Sequence, residues 1–166
     1  SGAVIADTLS LDSVVFILKI EDQLMEGASA RFNMDVHAMR DSLFAQAVYL
    51  ANKELPVAKN LQSVTNNVNN TDSLFVFSGA DFSNYLFKQM LDLDVSEQYS
   101  YRSELAFVPA AENEALLSFD MTSEETKILI YSRDPNDSLF ITKFRFNNIH
   151  FTQLDRDKSD SDLAGL

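Results

Sequence analysis

The chain has 166 residues and a formal net charge of -12, since 25 Asp and Glu outnumber 13 Lys and Arg. Apolar residues make up 46% of it, which is enough for one domain with a substantial core and argues against disorder of the bulk of the chain. The acidic excess repels phosphate backbones and argues against nucleic acid as a partner. Cysteine is absent, which excludes disulfides, thiolate zinc sites and cysteine nucleophiles.

Residues 1–10 are interpreted as a linker, because Ser1-Gly2-Ala3 resembles an expression remnant. We expect residues 11–154 to form one domain and residues 155–166 to form a charged, disordered tail. The longest apolar run, Val14–Leu18, is far shorter than the roughly 20 residues that a membrane span needs. Any membrane anchor is therefore expected in flanking segments outside this sequence.

A long amphipathic helix over residues 11–55, ending at Pro56, is the first predicted element. Its start, Val14–Ile20, is apolar almost all round, so this chain, a partner helix or a membrane has to cover it. Farther along, apolar residues recur at intervals of three and four, the spacing of one helix face and close to a coiled-coil seam. We expect this seam to be a homodimer interface or an intramolecular contact, and it consists of Phe32, Val36, Met39, Leu43, Ala47 and Leu50.

The remaining segment, 56–154, is predicted to be an α+β head. A short helix over 57–68 leads to a buried strand over 73–77, and Asp81 caps a second helix that ends near Leu91. Four strands follow at 104–108, 115–119, 127–131 and 139–146, with hairpins predicted at 109–113 and 132–137. The predicted fold class is therefore α+β, a long N-terminal helix packed with shorter helices on an antiparallel sheet.

The segment from Leu43 to Phe77 resembles the Cache or PAS-like (PDC) domains that bacterial histidine kinases, chemoreceptors and diguanylate cyclases expose outside the cytoplasm. The matching pieces are the Ala-rich end of the helix at 45–51, the Leu55-Pro56-Val57 junction and the strand at 72–77. The family's Gly-containing hairpin after that strand is missing, since Ser78-Gly79-Ala80-Asp81 leads into a predicted helix. The resemblance implies a ligand-sensing module of a membrane receptor.

The resemblance also implies a small anionic or amino-acid-like ligand, because Cache-like modules hold such ligands with Arg and Tyr side chains. Arg offers a bidentate fork for a carboxylate, and Tyr offers a hydroxyl and an apolar wall. The alternative is that these side chains only cover the core at strand ends. The candidate ligand-binding residues are Tyr99, Tyr101, Arg102, Tyr131 and Arg133.

No catalytic or metal-binding motif is visible in the sequence. His37 and His150 lack partners at a triad or metal-ligand spacing, and the acidic runs at 92–97 and 155–162 lack the turn-forming Gly of a calcium loop. With only four Gly, a phosphate-binding loop is implausible. We therefore predict that the protein is not an enzyme and holds no cofactor or metal.

These features favour a periplasmic sensing domain of a transmembrane receptor that binds a small ligand or a periplasmic protein. It would relay a conformational change through the long helix, as a homodimer. The alternative is a pilin-like or other structural or assembly subunit with helix-plus-sheet architecture. Charged residues along the predicted helix favour the sensor, because a pilin spine should be uniformly apolar. They are Glu21, Asp22, Glu26, Arg31, Asp35 and Arg40.

Overall fold

The computed structural model describes residues 8–39, 57–94 and 104–146. In these ranges two antiparallel sheets face each other across a core rich in phenylalanine, and one helix packs beside them. In chain order the elements are β1 (Ser10–Met25), β2 (Ser29–Met39), β3 (Val57–Asn69), β4 (Leu74–Ser78), α1 (Ala80–Leu91), β5 (Leu105–Pro109), β6 (Ala115–Asp120), β7 (Lys127–Arg133) and β8 (Leu139–Phe144).

Sheet A has the strand order β4-β1-β7-β8, and β6 also pairs with β1. Strands β7 and β6 lie end to end along the same edge of β1, because β7 pairs with its first half and β6 with its second half. Sheet B has the order β3-β2-β5. The long strand β1 is therefore the centre of sheet A, and β2 is the centre of sheet B.

The predicted long helix is wrong over Ser10–Met39, which forms β1 and β2. Alternate residues are buried in both strands, which is the two-residue period of a strand with one face on the core. Phe32 and Val36, four residues apart, fit a strand face as well as a helix face, and both are buried in β2. Met39 ends β2, half-buried. The remaining seam residues, Leu43, Ala47 and Leu50, lie outside the described residues.

The predicted helix over 57–68 is also a strand, β3. Its buried residues, Leu61, Val64 and Val68, follow each other at intervals of three and four, which normally indicates a helix. The register explains the spacing: Gln62 pairs with Val36 and Asn60 with His37, so Leu61 is an extra residue in the strand. A β-bulge shifts the alternation by one residue, and here it makes a strand look helical in sequence.

From Leu74 onward the predicted elements are mostly confirmed. The helix α1 buries Phe82, Leu86 and Met90 as expected. The five strands β4 to β8 lie within a few residues of their predicted positions. The hairpin between β7 and β8 is confirmed, but the one at 109–113 is wrong, because β5 lies in sheet B and β6 in sheet A. Strand β4 is buried on one face but lies at an edge of sheet A.

Phenylalanine rings join the two sheets and the helix. Phe16 of β1 stacks on Phe77 of β4 at 4.6 Å and meets Phe82 of α1 edge-on at 4.7 Å. It also faces Phe107 of β5, at 6.4 Å, across the core. The same side chain thus contacts both sheets and the helix. The architecture is a β-sandwich with one short helix in the described ranges, which corrects the predicted α+β class with a long helical spine.

Candidate interaction surface

The outer face of sheet A, which points away from the core, carries apolar and cationic side chains. In β1, β4, β7 and β8 the inward residues alternate with these outward ones. The outward apolar side chains are Val15, Ile17, Leu74, Val76, Leu129, Tyr131, Leu139 and Ile141, and the outward cations are Lys19, Lys127, Arg133 and Lys143. Ser13 and Ser78 occupy further outward positions, and no carboxylate lies at an outward register position of β4, β7, β8 or residues 13–19 of β1.

The register places these side chains in cross-strand rows. Val76, Ile17 and Lys127 are neighbours across three strands, and the next row contains Val15, Leu129 and Lys143. A third row pairs Tyr131 with Ile141, which is 48% exposed. We call the part of the face formed by Val15, Ile17, Lys127, Leu129, Ile141 and Lys143 the basic zone. It offers an apolar floor with two ammonium groups at its margin.

The cations of this face differ in their electrostatic environment. Lys19 pairs with Glu125 at 3.0 Å, and the Arg133 guanidinium contacts the carboxylates of Asp137 at 3.1 Å and Asp12 at 3.5 Å. Lys127 and Lys143 form no ion pair with any residue in the described ranges. In a chain of net charge -12, these two side chains leave a local positive charge available to an anionic group.

The outer face continues beyond a β-bulge in β1. Ile20 pairs with Phe119 and Asp22 pairs with Ser118, so Glu21 is the extra residue. The bulge reverses the alternation: Met25 now packs against the core, whereas Leu24 points outward. Opposite Leu24 lies Leu116 of β6, and the two side chains are 72% and 65% exposed.

Carboxylates surround this leucine pair. Asp22 precedes Leu24 on β1, and Glu26 and Glu114 adjoin the paired residues Met25 and Ala115. All three acidic side chains are exposed, and no cation in the described ranges forms an ion pair with them. We call Asp22, Leu24, Glu26, Glu114 and Leu116 the acidic zone. Four of these residues, all except Asp22, line an open groove of about 890 Å³, whose other lining residues are mostly apolar and include Phe32 of β2.

A smaller groove of about 420 Å³ separates the edge strands β3 and β4. It is lined by polar groups such as Ser63, Thr65 and Ser78, and it is bridged where the Asn66 amide donates to the Val76 carbonyl at 2.8 Å. The groove lacks a charged side chain among its lining residues. It therefore offers no strong recognition element for an ionic ligand.

The predicted ligand-binding residues are brought together only in part. Tyr131 and Arg133 point to the same outer face of β7, but the guanidinium of Arg133 already contacts two carboxylates. Tyr99, Tyr101 and Arg102 lie outside the described residues, so the ligand site stays a prediction. The sequence analysis did not predict the basic and acidic zones. For the basic zone a signal exists, because Lys127, Leu129 and Tyr131 alternate with buried residues and therefore share the outer face of β7.

No group of three His, Asp or Glu residues in the described ranges could hold a metal ion. In the same ranges no helix is long and apolar enough to span a membrane. Comparison with protein-family models, with curated proteins and with solved structures found no match. The resemblance to Cache domains therefore stays a prediction.

Proposed function

We propose that this chain is a non-catalytic interaction or assembly subunit that binds a protein partner through the outer face of sheet A. The observation that carries the proposal is the chemistry of the basic zone, where outward positions of three neighbouring strands hold apolar and cationic side chains and no carboxylate. On a sheet with one face exposed to water, the outward side chains are normally polar. In an acidic chain it would also be expected to be acidic.

Composition and shape both suit a protein partner rather than a small molecule. The face is broad and open, whereas small-molecule sites are usually enclosed clefts. Apolar side chains with a rim of charges are the usual anatomy of a protein interface. The assembly function matches the alternative predicted from sequence, but without the N-terminal helix that a pilin-like subunit requires, since β1 and β2 occupy that part of the chain.

The sensing domain of a periplasmic receptor, with its small-molecule ligand, stays a prediction. Its proposed relay depended on a continuous helix through Phe32, Val36 and Met39, and these residues form a strand. A sensor on this scaffold would need another means to transmit a signal. No observation on the described surface favours that function over partner binding.

Site-specific photocrosslinking tests the proposal. A photoreactive phenylalanine analogue at position 141 should form adducts with one defined protein in cells that make this chain naturally. The matched control is position 108, because Val108 is an exposed apolar residue of β5 in the opposite sheet. Adducts at both positions, or at neither, would contradict a partner site on sheet A.

A further inference from the structure

We propose that the partner is a second copy of this chain, and that two copies stack the outer faces of their A sheets about a two-fold axis. In this arrangement the basic zone of each copy lies over the acidic zone of the other. The inference deepens the proposed function and rests on it. It names the occupant of the face, which the proposed function leaves open.

The outer face of sheet A carries a positively charged zone and a negatively charged zone. The basic zone carries Lys127 and Lys143, and the acidic zone carries Asp22, Glu26 and Glu114. None of these five groups forms an ion pair among the described residues. A two-fold contact places each zone against its opposite twice, so a single interface relieves the like-charge repulsion in both copies.

The basic zone and the acidic zone of one molecule are too far apart to neutralise each other. Ile17 lies beside Lys127 in the register, and Asp22, the nearest carboxylate of the acidic zone, lies five residues farther along β1, which is roughly 16 Å at about 3.3 Å per residue. Such a separation exceeds a Debye length of about 10 Å at 0.1 M salt. Both zones share the outer face of the same long strand, so an antiparallel second copy can contact both at once.

Both zones also carry apolar side chains that a second copy would bury. Leu24 and Leu116 form a protruding pair, while the basic zone presents the flatter surface of Val15, Leu129 and Ile141. The 16 residues of β1 span roughly 50 Å; sheet A is four strands wide, about 19 Å, along the half of β1 that pairs with β7, and two strands wide along the half that pairs with β6. These dimensions allow an area on the order of 800 Å² per copy, which is the size of a standard stable interface.

Sedimentation velocity on charge-swapped variants of the full chain tests the two-fold dimer. The wild-type chain should form a dimer that saturates with concentration and weakens as salt is raised. K127E/K143E should weaken the dimer at least tenfold, and so should E26K/E114K, because each variant brings like charges together twice. An equimolar mixture of the two variants should restore dimers, since both zones then match.

The matched control is K59E/K88E, which makes the same change in net charge on exposed lysines of β3 and α1, away from sheet A. It should dimerise like the wild type, and circular dichroism should show all variants folded. A wild-type chain that stays monomeric at about 1 mM, a mixture that fails to restore dimers, or a control as weak as K127E/K143E would overturn the inference. Open-ended polymers would overturn the two-fold arrangement.

The crosslinking experiment separates the two proposals. Adducts at position 141 to the same chain would support both. Adducts at position 141 to a different protein, together with a monomeric chain, would overturn the self-association and leave the proposed function standing. The absence of any adduct would remove the proposed function itself.

Discussion

At the scale of single residues, Thr126 closes the gap between β6 and β7. These strands follow each other along β1: the pairing with β7 ends at Ile17, and the pairing with β6 begins at Lys19, which lies opposite Asp120. The buried Thr126 hydroxyl accepts a hydrogen bond from the Lys19 amide at 2.9 Å and donates one to the Asp120 carbonyl at 2.6 Å. One side chain thus links the backbone of β1 to the backbone at the end of β6.

Replacing this hydroxyl should destabilise the protein without changing the shape of the side chain much. We expect Thr126→Val to lower the free energy of unfolding by about 1–3 kcal/mol, because two part-buried hydrogen bonds, from the Lys19 amide and to the Asp120 carbonyl, are lost. Urea denaturation followed by circular dichroism would measure the change. Thr126→Ser keeps the hydroxyl and is the control; an equal loss in both variants would show that the methyl group, not the hydrogen bonds, matters.

Another residue-scale feature is the close approach of Gly79 to the aromatic core. A Cβ atom at position 79 would lie 3.2 Å from Cε2 of Phe16, a ring that is itself held between Phe77 and Phe82. A larger residue at the entrance to α1 would therefore have to displace this ring by a few tenths of an ångström.

At the scale of elements, the prediction from sequence was correct for α1 and the strands after it. It was wrong for β1, β2 and β3, which were predicted to be helices. For β2 and β3 the wrong prediction has a physical cause. Phe32 and Val36 satisfy both periods because four is a multiple of two and close to one helical turn. Leu61 and Val64 mimic a helix because of a bulge, which depends on pairing with β2 and leaves no local signal.

The candidate surface was equally hard to predict, since it is formed between distant strands. Leu24 and Leu116 become neighbours only through the pairing of β1 with β6, and Leu24 points outward only because of the bulge at Glu21. Lys143 and Arg145 are exposed. Their relation to Val15 and Ile17 required the register of sheet A.

The hairpin between β7 and β8 is the element whose stability should depend on pH. The carboxylate of Asp134 accepts hydrogen bonds from the amides of Ser138 at 2.8 Å and Asn136 at 2.9 Å. These bonds, chiefly the one from Ser138, lower the pKa of Asp134 below its ordinary value of 3.8.

The stabilisation from Asp134 should therefore be fully present above the pKa that it has in the unfolded chain, about 3.9. It should be lost as the pH falls through the lower pKa of the folded state. Thermal unfolding from pH 5 downward would show a smaller acid-induced decrease in melting temperature for Asp134→Ala than for the wild type. Asp92→Ala is a control, since it removes a carboxylate at the end of α1. Parallel pH profiles for the wild type and Asp134→Ala would contradict the role of the hairpin carboxylate.

At the scale of the whole molecule, the rings around Phe16 make the two sheets and the helix one cooperative unit. Phe16 is fully buried and contacts β4, α1 and β5. We expect Phe16→Ala to lower the free energy of unfolding by about 3–5 kcal/mol, as for other buried phenylalanines. The loss should affect both sheets together.

Hydrogen exchange measured by mass spectrometry distinguishes a global from a local effect. In Phe16→Ala the protection of β2 and β7, which lie in different sheets, should fall by the same factor. Exposed Val108→Ala is the comparison, and it should leave the protection of both strands unchanged. Loss of protection in sheet A alone would show that the sheets unfold independently.

The central position of β1 has a consequence for how the protein is made. This strand leaves the ribosome well before its partner β7, since Ser10 pairs with Arg133, which is 123 residues later in the chain. During translation the apolar residues of β1 stay unpaired until β7 has been synthesised. Such unpaired segments are prone to aggregate. The nascent chain is therefore expected to depend on chaperones that shield β1 until translation has passed residue 133.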